Sequence, residues 1–182
     1  IMSESIFKEN LFEGKKVFIT GGATGMGLGF AKAFLEHGAD VLIASRKEEN
    51  LSKAASEIKD QTGKTLHWKV MDVRNNETVE EVAKHIKDTW GYLDVLVNNA
   101  AGNFVTPAAA MSENAWRAVI DIVLDGTFRV SKACYPLLRN NKEGSSIVNI
   151  IANYAWGAAP FVAHSGAAKA GVLNLTRSIA LE

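Results

Sequence analysis

Apolar positions along the chain change period repeatedly, from short continuous runs to helical spacing and back. KKVFIT at 15–20 is a short apolar run that ends in glycines, the pattern of a buried strand. Residues 25–37 follow with helical spacing, putting Met26, Phe30, Ala33 and Phe34 on one side, and Gly38 stands where a helix C-cap is expected. ADVLIAS at 39–45 predicts a second strand and 48–61 a second helix closed by Gly63. TLHWKVMDV at 65–73 predicts the third strand, with a helix over 76–90 closed by Gly91. LDVLVNNA at 93–100 is a fourth strand running into polar residues. A long helical stretch over 112–140 precedes a fifth strand, SSIVNIIA at 145–152, and 165–182 is helical again.

Strands alternating with helices imply right-handed βαβ units and a parallel sheet covered on both faces. The expected fold is α/β, one doubly wound Rossmann-like domain over 1–182 with strand order 3-2-1-4-5. No linker, repeat or low-complexity segment interrupts it. In such sheets ligands bind outside the carboxyl ends of the strands, near the switch point. Thr20, Ser45, Asp72, Asn98 and Ile151 fall near those ends, so the candidate chemistry converges on one rim.

Composition narrows the partners. Twenty basic residues balance twenty acidic ones, so no global field draws nucleic acid or an anionic membrane, and an anionic ligand must be held by local groups. The single cysteine, Cys134, excludes an internal disulfide and fits a reducing compartment. No apolar run reaches transmembrane length, and IMSESIFKEN lacks the basic and apolar blocks of a signal peptide. Ile1, ahead of Met2, reads as vector-derived. A cytoplasmic protein is expected. No Cys/His cluster has metal-ligand spacing, so no metal site is expected.

ITGGATGMGLG at 19–29 sets Gly21, Gly25 and Gly27 between the first strand and first helix. Glycines there let the backbone approach a pyrophosphate, and the helix N-terminus offers free N–H groups. Tight turns also need glycine, but the strand–turn–helix context favours a dinucleotide. At the end of the second strand, NAD proteins carry an acid for the ribose 2′-hydroxyl. This chain has Ser45-Arg46-Lys47 instead, and Arg46 suits a 2′-phosphate, which points to NADP(H). The plainer alternative is a solvated Arg-Lys pair. Asp72 can accept from an adenine amino group with Val73 against the ring, or serve only as a helix N-cap or turn residue. Asn98-Asn99-Ala100 ends the fourth strand with small and amide groups suited to close approach.

TGGATGMG, LDVLVNNAAG, IVNI and AKAG together resemble the short-chain dehydrogenase/reductase family over essentially the whole chain. The resemblance implies that Thr24, Met26 and Gly102 also lie on the cofactor side. Most members place a tyrosine four residues before the lysine and an asparagine on the long helix. Here Ser165 and Val123 stand at those positions. The departures resemble the 2,4-dienoyl-CoA reductase branch, through NNAAGNF (98–104), DIVLDGTF (121–128) and NYAWGAAPFVAHSGAAKAGV (153–172). That resemblance implies that Asn103 and Tyr154 flank a thioester carbonyl while Ser165 and Lys169 hold the nicotinamide ribose. It further implies Phe104 and Ser112 on the substrate side, an unsaturated fatty acyl-CoA substrate and a homotetramer packed through the long helix and the helix bearing Lys169. Arg46 and Arg74 lie near the carboxyl rim and can meet phosphates of cofactor or CoA, which makes Arg74 a further substrate-side candidate.

The same residues allow plainer readings. Tyr154 can pack a loop with Trp156 and Phe161, Asn103 can be a turn residue, and Lys169 an exposed helix lysine. His164 beside Ser165 suggests a Ser–His pair, but neighbours on a helix do not face each other. Asp125, where the branch often has asparagine, is either an acid/base group or an N–H acceptor. The chain stops at Glu182 within the Lys169 helix, so the later strands of the family are absent, one sheet edge is open and the domain reads as C-terminally incomplete. Alternative functions are a 2-enoyl-CoA reductase of the same fold and a non-catalytic NADP(H)-binding regulatory protein.

Overall fold

The computed structural model describes residues 7–182; Ile1, Met2 and most of the IMSESIFKEN stretch lie outside them. The elements are β1 (Lys16–Thr20), α1 (Gly25–Glu36), β2 (Asp40–Ser45), α2 (Glu48–Thr62), β3 (His67–Val70) and α3 (Asn76–Trp90), then β4 (Val95–Asn98), α4 (Glu113–Ile120), α5 (Gly126–Arg139), β5 (Ser146–Asn149) and α6 (Ala163–Ile179). All pairings are parallel and the sheet order is β3-β2-β1-β4-β5, as the alternation predicts. Strands three to five are shorter than their apolar runs, although flanking residues still bond to the neighbouring strand, as Met71 N–H does to Ser45 O and Ile150 N–H to Asn98 O.

Period-two alternation divides the core. Phe18, Leu42 and Leu96 face α3 and α5 with Val82, Ile86, Val130 and Leu137. Val17, Ile19, Val41, Ile43 and Val97 face the other layer, where Ala31, Leu35, Leu51 and Ile58 close over them. Each buried valine, leucine, isoleucine or phenylalanine among them contributes about 1.5–3 kcal/mol relative to exposure. Gly63 and Gly91 cap α2 and α3 in the left-handed region, and Gly38 follows the end of α1 at φ 96°.

Two expectations need correction. The buried face of α1 is Gly27, Ala31 and Leu35, whereas Met26 is 64% exposed and Ala33 also faces solvent. A β-carbon on Gly27 would lie 2.3 Å from Gly21 O, so this edge must be the one nearest the β1 turn. The helical stretch over 112–140 runs unbroken from Glu113 to Arg139 but is not uniform: a π-helical segment, Asp121–Asp125, lies between α4 and α5, with Gly126 N–H bonded to Asp121 O. It turns Val123 inward against Val119, Ala168 and Val172, and lets Gly126 pack on Val73, where a β-carbon would meet Val73 at 2.8 Å.

Polar groups tie the layers at both ends of the sheet. At the amino end, buried Asp94 accepts from Lys16 N–H at 2.8 Å, Lys15 Nζ at 3.1 Å and Asn141 Nδ2 at 2.9 Å. Near the carboxyl end, Asn98 Nδ2 donates to Ser131 Oγ at 2.9 Å and Asn149 Oδ1 at 2.8 Å. Asn149 Nδ2 donates to Thr176 Oγ1 at 2.8 Å, and Thr176 donates on to Val172 O at 2.7 Å. This chain of donors runs from α5 through β4 and β5 to α6. Among the described residues β5 pairs with β4 alone, and Val148 on it is exposed.

Replacing Asn149 with alanine should strand the Asn98 and Thr176 groups. An unfolding loss of about 1–3 kcal/mol is expected, read from urea denaturation with an unchanged m-value.

Candidate active site

The cleft at the carboxyl rim exists because two turns come close together. Thr20 ends β1, and its hydroxyl oxygen accepts from Asn99 N–H at 3.1 Å and Ala100 N–H at 3.0 Å. Asn99 Nδ2 in turn donates to Thr20 O and Gly21 O, both at 3.0 Å. Gly21, at φ 63°, is in the left-handed region, and a β-carbon there would lie 2.9 Å from Ala100 Cα. Glycine at 21 and 27 is therefore a steric requirement of this junction.

A cleft of about 350 Å³ opens over it. Its wall carries Gly21, Thr24, Met26 and Gly27 from the first turn and the start of α1, Ser45 at the end of β2 and Arg46 after it, Asp72 and Val73 after β3, and Asn99 and Ala100 after β4. These are ten of the residues expected on the cofactor side. Gly25, Gly102 and Lys169 are not in the wall: Gly25 makes the turn at φ 55°, Gly102 lies against Ile122, and Lys169 is buried on α6. Lys47 and Ala101, from the Ser45-Arg46-Lys47 and NNAAGNF stretches, line it too, and Asn50, Met71 and Ile122 line it unanticipated. Thr24 caps α1 without a side-chain hydrogen bond, so the first-turn N–H groups keep their capacity for an anion.

Asp72 is not the helix cap; that is Asn75, whose side chain accepts from Glu77 and Thr78 N–H. Arg74 instead grips Asp72 through Nε at 3.0 Å and an NH2 contact at 2.6 Å. Those bonds chiefly, with a smaller pull from the Arg46 charge, hold the Asp72 carboxyl below the usual carboxylate range. Arg74 is thus paired with a residue of the cleft wall. Ser112 caps α4 and, with Trp116, Arg117 and Ala163, lines a separate cavity of about 410 Å³, while Phe104 packs on His164.

At the start of α6 the expected reaction groups gather. Tyr154 OH lies 3.1 Å from Ser165 Oγ, and Ser165 is buried. Trp156 and Phe161 are 69% and 52% exposed, so Tyr154 is no part of an aromatic cluster with them. Lys169 is no exposed helix lysine: only 7% exposed, it donates from Nζ to Ile150 O, and burial lowers its pKa below the ordinary 10.5. Asn103 is exposed, and its Oδ1 accepts Phe104 N–H at 2.9 Å, which leaves the Nδ2 donors free. No direct bond joins Asn103 to Tyr154 among the described residues; their loops meet where Thr106 N–H donates to Phe161 O at 2.9 Å. His164 does pair with Ser165, but through the backbone: its Nδ1 accepts Ser165 N–H at 2.9 Å. Asp125 lies 4.0 Å from Arg129, whose guanidinium also holds Asp121 at 2.7 Å, so it acts as a charge partner there.

The family model for short chain dehydrogenases matches residues 15–182. The chain belongs to the short-chain dehydrogenase family. A Bacillus subtilis (strain 168) relative named a probable 2,4-dienoyl-CoA reductase, (2E)-enoyl-CoA-producing, is 45% identical over 93% of this chain and 66% of its own length. A Danio rerio relative, named a peroxisomal 2,4-dienoyl-CoA reductase, (3E)-enoyl-CoA-producing, is 39% identical over 97% of this chain and 59% of its own. A short chain dehydrogenase from Bacillus anthracis str. 'Ames Ancestor' superposes with a TM-score of 0.84 at 45% identity, covering 92% of this chain and 69% of that one. The chain thus spans roughly three fifths to two thirds of the length of these curated relatives. Family and fold imply a nicotinamide dinucleotide, and the glycine cradle over Asn99 fits one. Among the described residues no helix is long and apolar enough to cross a membrane, and no group of three metal-ligating side chains converges.

In this short-chain dehydrogenase Gly27→Ala should drive a methyl into Gly21 O and Asn99 Nδ2. We expect a stability loss of about 1–3 kcal/mol and dinucleotide affinity at least about tenfold weaker, read by thermal unfolding and fluorescence titration.

Proposed function

We propose that this chain works as an NADPH-dependent reductase of 2,4-dienoyl-CoA thioesters, in fatty acid β-oxidation and in the cytosol. One observation carries the reading: the Tyr154 hydroxyl meets Ser165, four residues before Lys169, so a phenol supplied from upstream returns to the tyrosine position of the family. The names of the curated relatives support the substrate class. Arg46 and Lys47 on the cleft wall, with no acid at the end of β2, support NADP(H) over NAD(H).

Bound NADPH would supply the hydride that adds to the δ-carbon of the dienoyl thioester and pushes charge onto its oxygen. Tyr154 and Asn103 act where that charge develops. Tyr154 donates its O–H to the oxyanion while accepting from Ser165, and Asn103 donates from Nδ2, its Oδ1 being occupied. Each donor is worth about 2–4 kcal/mol of barrier, on the scale of an oxyanion-hole group. Lys169 holds the ribose hydroxyls and favours the anion by its charge. Protonation of the dienolate at the α-carbon, from water, gives the 3-enoyl thioester. Protonation at the γ-carbon instead gives the 2-enoyl product that the Bacillus subtilis relative's name records. Exposed Phe128 and Tyr135 on α5 support the homotetramer, and light scattering at four times 19.7 kDa tests it.

Tyr154→Phe should lower kcat by about 100- to 1000-fold with a KM for the thioester changed little. NADPH oxidation at 340 nm reads the rate, and chromatography of the product reads where the proton lands. Wild-type reduction of a 2-enoyl-CoA in preference to the dienoyl-CoA would overturn the assignment.

Lys169 also predicts opposed pH trends. Its lowered pKa means that the unfolded chain binds the proton more tightly, so the free protein should gain stability as pH rises from the folded value toward 10.5. Cofactor affinity should fall over the same window as the charge is lost. Denaturation and NADPH titration as functions of pH check both signs.

A further inference from the structure

Helix α6 presents Ser165 and Lys169, yet it starts without an ordinary cap. Its N-cap residue is Val162, which has no polar side chain. The first-turn N–H groups of a helix have no partner within it. Gly166 N–H reaches back to Val162 O at 2.8 Å, and Ser165 N–H, one position earlier, is taken by His164 Nδ1 at 2.9 Å. His164 is 0% exposed, so water does not compete for that acceptor.

The imidazole has a second neighbour. Phe104 meets it edge-on at 4.5 Å between ring centroids and 84° between planes. The backbone of Phe104 is in turn fixed by Asn103 Oδ1. His164 therefore touches the loop that carries one proposed oxyanion donor and the serine that holds the other. Because Nδ1 accepts, the ring proton resides on Nε2, which is buried without a hydrogen-bond partner among the described residues. An unpaired buried donor is a cost. An apolar side chain would remove it, and would remove the acceptor for Ser165 as well.

We propose that His164 is a positioning residue: its Nδ1 sets the backbone of Ser165, hence the partner of the Tyr154 hydroxyl, while its ring seats the Asn103–Phe104 loop. This rests on Tyr154 and Asn103 being the donors to the substrate oxygen. His164 itself touches neither substrate nor cofactor in this arrangement. Its two functions separate by substitution. His164→Phe keeps an aromatic ring against Phe104 and loses the acceptor; His164→Asn keeps an acceptor at the Nδ1 position and loses the ring.

The full chain and both variants are compared by dienoyl-CoA kinetics, NADPH titration, thermal unfolding and amide exchange at Ser165. His164→Phe should lower kcat by about tenfold or more, with the thioester KM and the NADPH Kd within about twofold of wild type. It should speed Ser165 amide exchange by more than about tenfold while the melting temperature holds or rises. His164→Asn should restore the Ser165 protection and most of kcat. Unchanged exchange and kcat in His164→Phe would overturn the proposal, as would a kcat loss in both variants that simply follows a fall in melting temperature. If wild-type protein fails to reduce dienoyl-CoA, the reaction assignment falls, and the Ser165 exchange measurement alone still decides the role of His164.

Discussion

The close approach of Asn99 to the β1–α1 turn is the contact on which the rest of the rim depends. Its amide bridges the carbonyls of Thr20 and Gly21, and the backbone beside it takes both lone pairs of the Thr20 hydroxyl. A β-carbon at 21 or 27 would lie 3.1 or 2.6 Å from the Asn99 amide nitrogen and crowd this junction. The same requirement chooses the face of α1 that meets the sheet and sends Met26 outward to the cleft mouth. One steric condition thus sets the cleft, the helix register and the exposed N–H groups together.

The two ends of the rim are built differently. The cofactor end is largely backbone and small residues, with charge supplied locally by Arg46, Lys47 and the Asp72–Arg74 clamp in a chain of zero net formal charge. The reaction end is side chains on α6 and two loops. It needs α6 held close, and small residues allow this: Ala168 is fully buried, and a β-carbon on Gly171 would lie 2.9 Å from Leu124. The donor chain Asn98–Asn149–Thr176 fixes the same helix from below. Phe161, at φ 64°, is a bulky residue in the left-handed region, and its carbonyl joins the two loops. Strain and close packing therefore accumulate where Tyr154 and Ser165 meet.

Much of this was legible along the chain. Alternating apolar periods, glycines closing α2 and α3, and Gly21 and Gly27 between strand and helix imply the sheet order and its glycine-lined rim, because those signals are local and periodic. The displaced Tyr154 was visible as an absence at 165 and a candidate eleven residues upstream. Its bond to Ser165 follows only from the fold of the 150–162 segment.

What the tertiary structure decided has one physical cause: it depends on which distant groups compete for the same space or the same hydrogen bond. The π segment at Asp121–Asp125 is set by Val123 packing on Ala168 and Gly126 on Val73, neither predictable from helical period. Arg74, expected to meet a phosphate of cofactor or CoA, is bonded to Asp72 on the cofactor side of the rim. His164 and Ser165 were read as facing apart, and as side chains they do, but a helix start with no cap lets an imidazole reach the next backbone N–H. Sequence by itself determined the periods, the turns and the inventory of chemical groups. Folding determined their partners, because partnership is a property of three-dimensional proximity that no local pattern encodes.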